Sequence, residues 1–177
     1  MRFGIYIGIL FLFLSLYPSQ QEERMEWSAN RLLRWSDFKG VPNQLGDYAA
    51  TTSSGLSQSY SISSTGYINK ESITIKANFY PQYSWYRAKD TTAYVLKHEQ
   101  THFDITELHA RYLRKRIADF SFTSNAAAEI KALYQEVETQ RRAMQKQFDE
   151  ETQHSIIREK EYYWEAKVAV LLAQTAQ

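Results

Sequence analysis

The chain has 177 residues, 44% of them hydrophobic and 23% charged, and its formal net charge is +1. This length suits one domain that buries most of its apolar surface, and the near-zero net charge gives no electrostatic support for nucleic-acid binding. The sequence contains no cysteine, which excludes disulfides and thiolate metal ligands, so a bound metal must use histidine and carboxylate side chains.

The first residues have the features of a cleaved export signal. Arg2 supplies a positive charge, and residues 3–16 form an apolar run that is too short to span a bilayer comfortably. The polar stretch that follows permits cleavage near Ser19, and no cysteine is present to carry a lipid anchor. We predict a signal peptide over residues 1–19 and one mature domain over residues 20–177, periplasmic or secreted. An uncleaved membrane anchor is the alternative.

Residues 27–86 are rich in Ser, Thr, Tyr and β-branched residues, a composition that favours short strands. Alternating apolar positions predict strands at residues 56–60 and 73–79, with a turn at residues 64–66. Pro81 ends the second strand because proline has no N–H with which to continue a ladder. This half of the chain is predicted to form a small antiparallel sheet.

Residues 90–174 carry a helical pattern of apolar positions. We predict three long helices, from Asp90 or Thr91 to about Ala118, from Ala126 to about Phe148, and from about Ile156 to Leu172. The chain shows no internal repeat and no low-complexity linker. A small sheet followed by helices predicts a single domain of the α+β class.

The segment His98-Glu99-Gln100-Thr101-His102 lies inside the first predicted helix. Residues four apart stand one above the other on a helix, so the imidazoles of His98 and His102 can ligate one zinc ion. Glu99 projects about 100° from His98, where it can address a metal-bound water without ligating the metal. Zinc lowers the pKa of that water toward ~7, and Glu99 is the predicted general base. These features predict one zinc ion per chain in a zincin-like domain.

A third protein ligand is needed, because catalytic zinc usually keeps three protein ligands and one open position. His109 lies about 10 Å beyond His102 along the helix axis, which is out of reach. Asp104 points more than about 100° away from the histidine pair. The remaining source is the segment 148–154, from which we predict His154 as the third ligand. Three acidic residues stay open as alternatives: Asp104, Asp149 and Glu151.

Three stretches of the chain carry a family likeness: residues 33–40, residues 97–111 around the histidine pair, and residues 148–154 with Trp164 downstream. Together they extend over nearly the whole mature chain. They resemble a family of bacterial proteins described as predicted secreted zinc-dependent proteases and catalogued as a domain of unknown function.

The resemblance implies zinc binding by His98 and His102, with Glu99 catalytic. It also implies that three further residues belong to the site region: Asp149, Thr152 and His154. The chain departs from the family pattern at Phe148, where we expect Tyr, and at Ser155, where we expect Gly. If a tyrosine hydroxyl at position 148 stabilised the oxyanion, Phe148 would remove it. Three residues before the first long helix could replace it: Tyr83, Tyr86 and Arg87.

These features predict an exported zinc metallopeptidase that acts on a peptide or protein substrate, with residues 73–79 as an edge strand for an extended substrate. The alternative is an exported zinc-containing binding or structural protein without peptidase activity. A ferritin-like di-iron site is disfavoured, although residues 99–102 and 151–154 both read Glu-x-x-His, because it needs four long helices. We predict no nucleic-acid partner and no stable membrane insertion after signal cleavage. Substrate, cleavage preference, oligomeric state and latency stay open.

Overall fold

The computed structural model describes residues 22–42 and 48–175, so the predicted signal peptide at residues 1–19 lies outside the described part. Within the described ranges, no helix combines the length and the apolar character needed to cross a membrane. Short strands occupy the N-terminal half and three long helices the C-terminal half. This arrangement confirms the predicted α+β class.

The elements follow the chain order expected from the sequence. The strands are β1 (Met25–Glu26), β2 (Ala50–Thr51), β3 (Ser54–Ile62), β4 (Ile68–Phe79) and β5 (Trp85–Tyr86). The long helices are α1 (Ala93–Asp119), α2 (Ala126–Thr152) and α3 (Arg158–Gln174). Short 3-10 turns lie at Trp35–Asp37, Pro81–Tyr83 and Ala88–Asp90. The predicted strands at residues 56–60 and 73–79 lie within β3 and β4.

The main sheet has the strand order β1-β4-β3, and every pairing in it is antiparallel. β4 is therefore the central strand, with Met25 of β1 opposite Phe79. Farther along the same side, the Arg114 guanidinium donates hydrogen bonds of 3.0 and 2.9 Å to the Ile75 carbonyl oxygen. The prediction that residues 73–79 form an edge strand for substrate is wrong. An alternating pattern marks a half-buried strand, but it does not tell a central strand from an edge strand.

Two apolar clusters hold the sheet and helices together. The larger one joins the inner face of the β3–β4 hairpin to α1 and α2, through side chains such as Phe79, Phe103 and Val137. The smaller one lies among the three helices and consists of Ile105, Phe148, Trp164 and Val168. Phe148 and Trp164 are completely buried, and burial of a large apolar side chain typically contributes about 1.5–3 kcal/mol. The smaller cluster fixes the distance between α1 and α2.

The helix ends differ from the sequence predictions in one place that affects the site. Helix α1 begins after Thr92, whose side chain accepts a 3.1 Å hydrogen bond from the Val95 amide and so caps the helix. Helix α2 continues past Phe148 to Thr152 and ends at Gln153, which has the left-handed backbone angles φ 48° and ψ 50°. The longer α2 carries its last turn over the histidine pair of α1.

Candidate metal centre

His98 and His102 stand on one face of α1, with their Nε2 atoms 3.2 Å apart. From the last turn of α2, Asp149 Oδ1 lies 3.0 Å from His102 Nε2 and 3.4 Å from His98 Nε2. These ligand atoms all lie within 4.8 Å of one another. A tetrahedral ion with ligands at about 2.1 Å separates its ligand atoms by roughly 3.4 Å. The three side chains therefore have the spacing and the chemistry of a three-ligand metal site.

The outward nitrogen of each histidine faces an acceptor on another helix. His98 Nδ1 lies 3.0 Å from Oε2 of Glu161, a completely buried residue of α3. His102 Nδ1 contacts Gln145 Oε1 on α2. The Gln145 amide nitrogen donates to the His102 carbonyl oxygen at 3.0 Å and to Thr106 Oγ1 at 3.2 Å, which fixes the amide orientation. With a proton on each Nδ1, both Nε2 lone pairs point toward Asp149.

The pKa values of His98 and Asp149 are shifted in opposite directions. Burial alone lowers the pKa of His98, but hydrogen bonds to Asp149 and Glu161 outweigh it and raise that pKa to about 9. Burial alone raises the pKa of Asp149, but hydrogen bonds from His102 and His98 outweigh it and hold that pKa well below its ordinary value. The group therefore favours a positive charge between two imidazoles and a carboxylate. A metal cation supplies such a charge, in exchange for protons.

Glu99 is buried beside the histidine pair, with 3% of its surface exposed. Its Oε2 atom has no hydrogen-bond partner in the described part of the chain. A buried carboxylate oxygen without a partner is costly, so it calls for a functional explanation. Glu99 does not belong to the group of three ligand atoms. It can therefore accept a proton from a molecule in the site.

The group lies in a cleft of about 790 Å³. Two segments line it beside the ligand helices: residues 48–52, which include β2 and form the first wall, and the turn at residues 153–156. The Thr52 hydroxyl donates a 3.2 Å hydrogen bond to the Glu99 carbonyl oxygen and ties the first wall to α1. Ligand clefts typically have volumes of about 300–1,000 Å³, so the space suits a short peptide segment or a small molecule.

His154, the third ligand predicted from the sequence, lies at the mouth of this cleft. Its side chain is 48% exposed, and its Nδ1 is 3.3 Å from Asp149 Oδ1. Within the described ranges, the group of converging ligand atoms contains Asp149 and not His154. Asp149 was one of the open alternatives, and it faces both histidines. His154 as a ligand stays a prediction, which we weigh against Asp149 below.

Three other polar residues considered from the sequence are used elsewhere. Asp104 accepts hydrogen bonds of 2.7 Å from Trp27 Nε1 and 2.8 Å from Gln100 Nε2, and so anchors the N-terminal segment to α1. Glu151 accepts a 2.9 Å hydrogen bond from Trp164 Nε1. His109 is buried rather than solvated, and its Nδ1 lies 2.8 Å from the carbonyl oxygen of the preceding turn. Burial lowers the pKa of His109.

Phe148 is not at the cleft surface but underneath the site. Its ring stacks on His98, with a centroid distance of 4.5 Å. The three residues considered as replacements for a tyrosine hydroxyl, Tyr83, Tyr86 and Arg87, are absent from the described lining of the cleft. The tyrosine that does line it is Tyr48, whose ring packs edge-on against His154 at 4.7 Å. Sequence reasoning missed Tyr48, since no motif marks it.

Comparison with protein-family models matches residues 28–155 to a family described as a bacterial protein of unknown function, DUF922. The matched range contains all of α1 and α2, and with them His98, Glu99, His102 and Asp149. It ends before α3, which supplies Glu161. No curated protein and no solved structure gives a significant match to the chain.

Proposed function

We propose that this chain, which belongs to the DUF922 family of bacterial proteins, is an exported zinc-dependent metallopeptidase. The observation that carries this proposal is the partnerless Oε2 of Glu99, buried next to three converging ligand atoms in an open cleft. A general base needs such a position, because its carboxylate oxygen must be free of other hydrogen bonds to accept a proton from the reacting water.

The donor set fits a zinc ion. Two imidazoles and one carboxylate are a known catalytic zinc set, and a fourth position stays open for water or substrate. We assign His98, His102 and Asp149 as the ligands. A zinc ion bound there supplies Lewis acidity, which activates water and polarises a peptide carbonyl.

The proposed contribution of the protein to the reaction is proton transfer by Glu99. Its carboxylate accepts a proton from the attacking water as the new C–O bond forms at the peptide carbonyl. It then delivers that proton to the amide nitrogen as the C–N bond breaks, so the products are a carboxylate and an amine. The walls of the cleft orient the peptide during both transfers.

Two competing functions receive less support from the same residues. In a di-iron centre Glu151 would join the ligands, but its carboxylate is bonded to Trp164. In a binding protein with structural zinc, the unpaired oxygen of Glu99 and the open cleft have no explanation. In the strand-rich half, Trp35 and Tyr86 pack against each other at 5.0 Å, so these two rings contribute to packing.

The test is hydrolysis of a peptide library by the zinc-loaded mature chain and by Glu99→Gln. We expect the wild type to cleave peptides. Glu99→Gln should bind one zinc ion and melt at the same temperature, but lose roughly 10²–10⁴ in rate, because Gln cannot accept the proton. Glu150→Gln is the matched control, an exposed carboxylate beside Asp149 that should keep wild-type activity.

Absence of cleavage by wild-type protein that holds one zinc ion would reject the peptidase proposal. The alternative, a protein in which zinc has only a structural role, would then be favoured. Export rests on the sequence of residues 1–19, and N-terminal sequencing of protein recovered from a bacterial host tests it separately. A mature start near residue 20 is expected, and retention of the first residues would contradict it.

A further inference from the structure

The turn between α2 and α3 has an unusual backbone. Three consecutive residues other than glycine have positive φ: Gln153 at 48°, His154 at 53° and Ser155 at 68°. Left-handed residues of this kind normally occur singly, because Cβ approaches the backbone too closely. Such strain persists where surrounding contacts fix the chain, and it is often found at functional sites.

Contacts on both sides hold this turn in place. The His154 amide donates a 3.0 Å hydrogen bond to the Asp149 carbonyl oxygen, and the Ile157 amide donates at 2.8 Å to that of Thr152. From α1, the Tyr94 hydroxyl donates at 2.8 Å to the Ser155 carbonyl oxygen. The backbone that carries His154 is therefore held by contacts with both α1 and α2.

The ring of His154 lines the cleft beside the proposed ligand Asp149. Its Nδ1 lies 3.3 Å from Asp149 Oδ1, the oxygen that faces both Nε2 atoms of the histidine pair. On the other side, the ring packs edge-on against Tyr48 at 4.7 Å. His154 and Glu99 line the same cleft, so a carbonyl group held near Glu99 lies in the space that His154 borders.

Two hydrogen-bond donors beside the proposed ligands are already used, and Phe148 offers none. The Gln145 amide donates to the His102 carbonyl oxygen and to Thr106. The Thr52 hydroxyl donates to the Glu99 carbonyl oxygen. Peptide hydrolysis nevertheless develops negative charge on the carbonyl oxygen, and a positioned donor for that charge speeds the reaction strongly.

We propose that His154 is a catalytic residue whose ring N–H donates a hydrogen bond to the scissile carbonyl oxygen as negative charge develops there. This role rests on the proposed peptidase function, and it assigns the third ligand to Asp149. Zinc affinity therefore reports on the ligand role of Asp149, and turnover reports on the donor role of His154. Loss of the imidazole N–H should slow the reaction without releasing zinc.

The experiment compares wild type, His154→Phe and His154→Gln. Phe keeps a ring against Tyr48 but has no N–H, whereas Gln restores a donor. We expect His154→Phe to keep its zinc affinity within threefold and to lose about 10²–10³ in kcat with little change in KM. His154→Gln should recover part of the loss. A phosphinic peptide, whose tetrahedral phosphinate resembles the transition state, should bind His154→Phe more weakly by a similar factor in calorimetry.

Each other outcome overturns the proposal in a recognisable way. If His154→Phe binds zinc more than tenfold less tightly, His154 is a metal ligand. If wild type and His154→Phe cleave equally well, only the donor role fails. If Tyr48→Phe loses more activity than His154→Phe, the tyrosine hydroxyl is the donor. If wild type neither cleaves peptides nor binds the phosphinic peptide, the proposed function itself fails.

Discussion

Replacing Glu161 with Gln should weaken zinc binding while it leaves the fold intact. Glu161 is completely buried in α3, and its Oε2 lies 3.0 Å from His98 Nδ1. It orients the imidazole and makes its Nε2 a stronger donor to the metal. The substitution keeps an acceptor oxygen of the same shape but removes the negative charge.

The magnitude follows from the kind of hydrogen bond that changes. A charge-assisted hydrogen bond is roughly twice as strong as a neutral one, and water cannot replace it at a fully buried position. Loss of such outer contacts typically costs tenfold to hundredfold in metal affinity, about 1.4–2.7 kcal/mol. In the wild type, Glu161 Oε1 has no hydrogen-bond partner within the described residues. In Glu161→Gln the amide nitrogen takes that position, so each protein has one unpaired buried atom there. In the metal-free protein, however, the Glu161 carboxylate helps to raise the pKa of His98, so the substitution should also lower the free energy of unfolding around neutral pH.

The assay is competition for zinc against a chromophoric chelator, with cobalt substitution as a second readout. Glu165→Gln is the matched control. Glu165 lies on the same helix, its side chain is 8% exposed, and it pairs with Lys97 instead of a histidine. Its Oε1 also lacks a partner. We expect Glu161→Gln to shift the visible cobalt spectrum and Glu165→Gln to leave it unchanged. Equal zinc affinity in wild type and Glu161→Gln, or equal losses in both variants, would refute the reasoning.

Three further predictions concern the metal and the turn. Zinc at one hundred times its Kd should raise the free energy of unfolding by about 2.7 kcal/mol, and a chelator should reverse the accompanying rise in Tm. Asp149→Ala should weaken zinc binding more than tenfold in the chelator assay, whereas His154→Ala should not; the opposite ranking would restore His154 as the ligand. Ser155→Gly should raise the free energy of unfolding by up to about 1 kcal/mol in urea titration. Glycine relieves the strain of a positive φ in the folded state, and the greater freedom of glycine in the unfolded chain offsets only part of this gain. A lower unfolding free energy would contradict this.

The histidine pair could be found from sequence because its geometry is local. Four residues on a helix bring His98 and His102 onto one face, whatever the rest of the chain does. Glu99, the proposed general base, follows from the same helix. Exclusion of His109 and Asp104 as direct ligands leaves residues 148–154, from which we predict His154 and keep Asp149 as an alternative.

The assignment within that segment depends on where α2 ends. A helix that stops at Phe148 leaves residues 149–154 in a loop from which His154 reaches the site. The helix in fact continues to Thr152 and turns Asp149 toward α1, while His154 falls in the following turn. No glycine marks this turn, since its three left-handed residues are Gln, His and Ser. Such a turn follows from tertiary contacts and has no local sequence signal.

Side-chain partners across the fold were also beyond sequence reasoning. Glu161 reaches His98 because Trp164 and Phe148 pack α3 against the other two helices. Tyr48 reaches His154 because β2 pairs with β5 and brings residues 48–52 over the cleft. Both contacts join residues that are far apart in the chain; the first depends on the smaller apolar cluster and the second on the pairing of β2 with β5.

The most direct test of the metal centre is anomalous diffraction at the zinc absorption edge from crystals of the zinc-loaded protein. One peak per chain is expected, about 2.0–2.2 Å from His98 Nε2, His102 Nε2 and Asp149 Oδ1. The carboxylate of Glu99 should lie outside ligand distance and face the open fourth position. A peak that is ligated by Glu99, or by His154 in place of Asp149, would contradict the account.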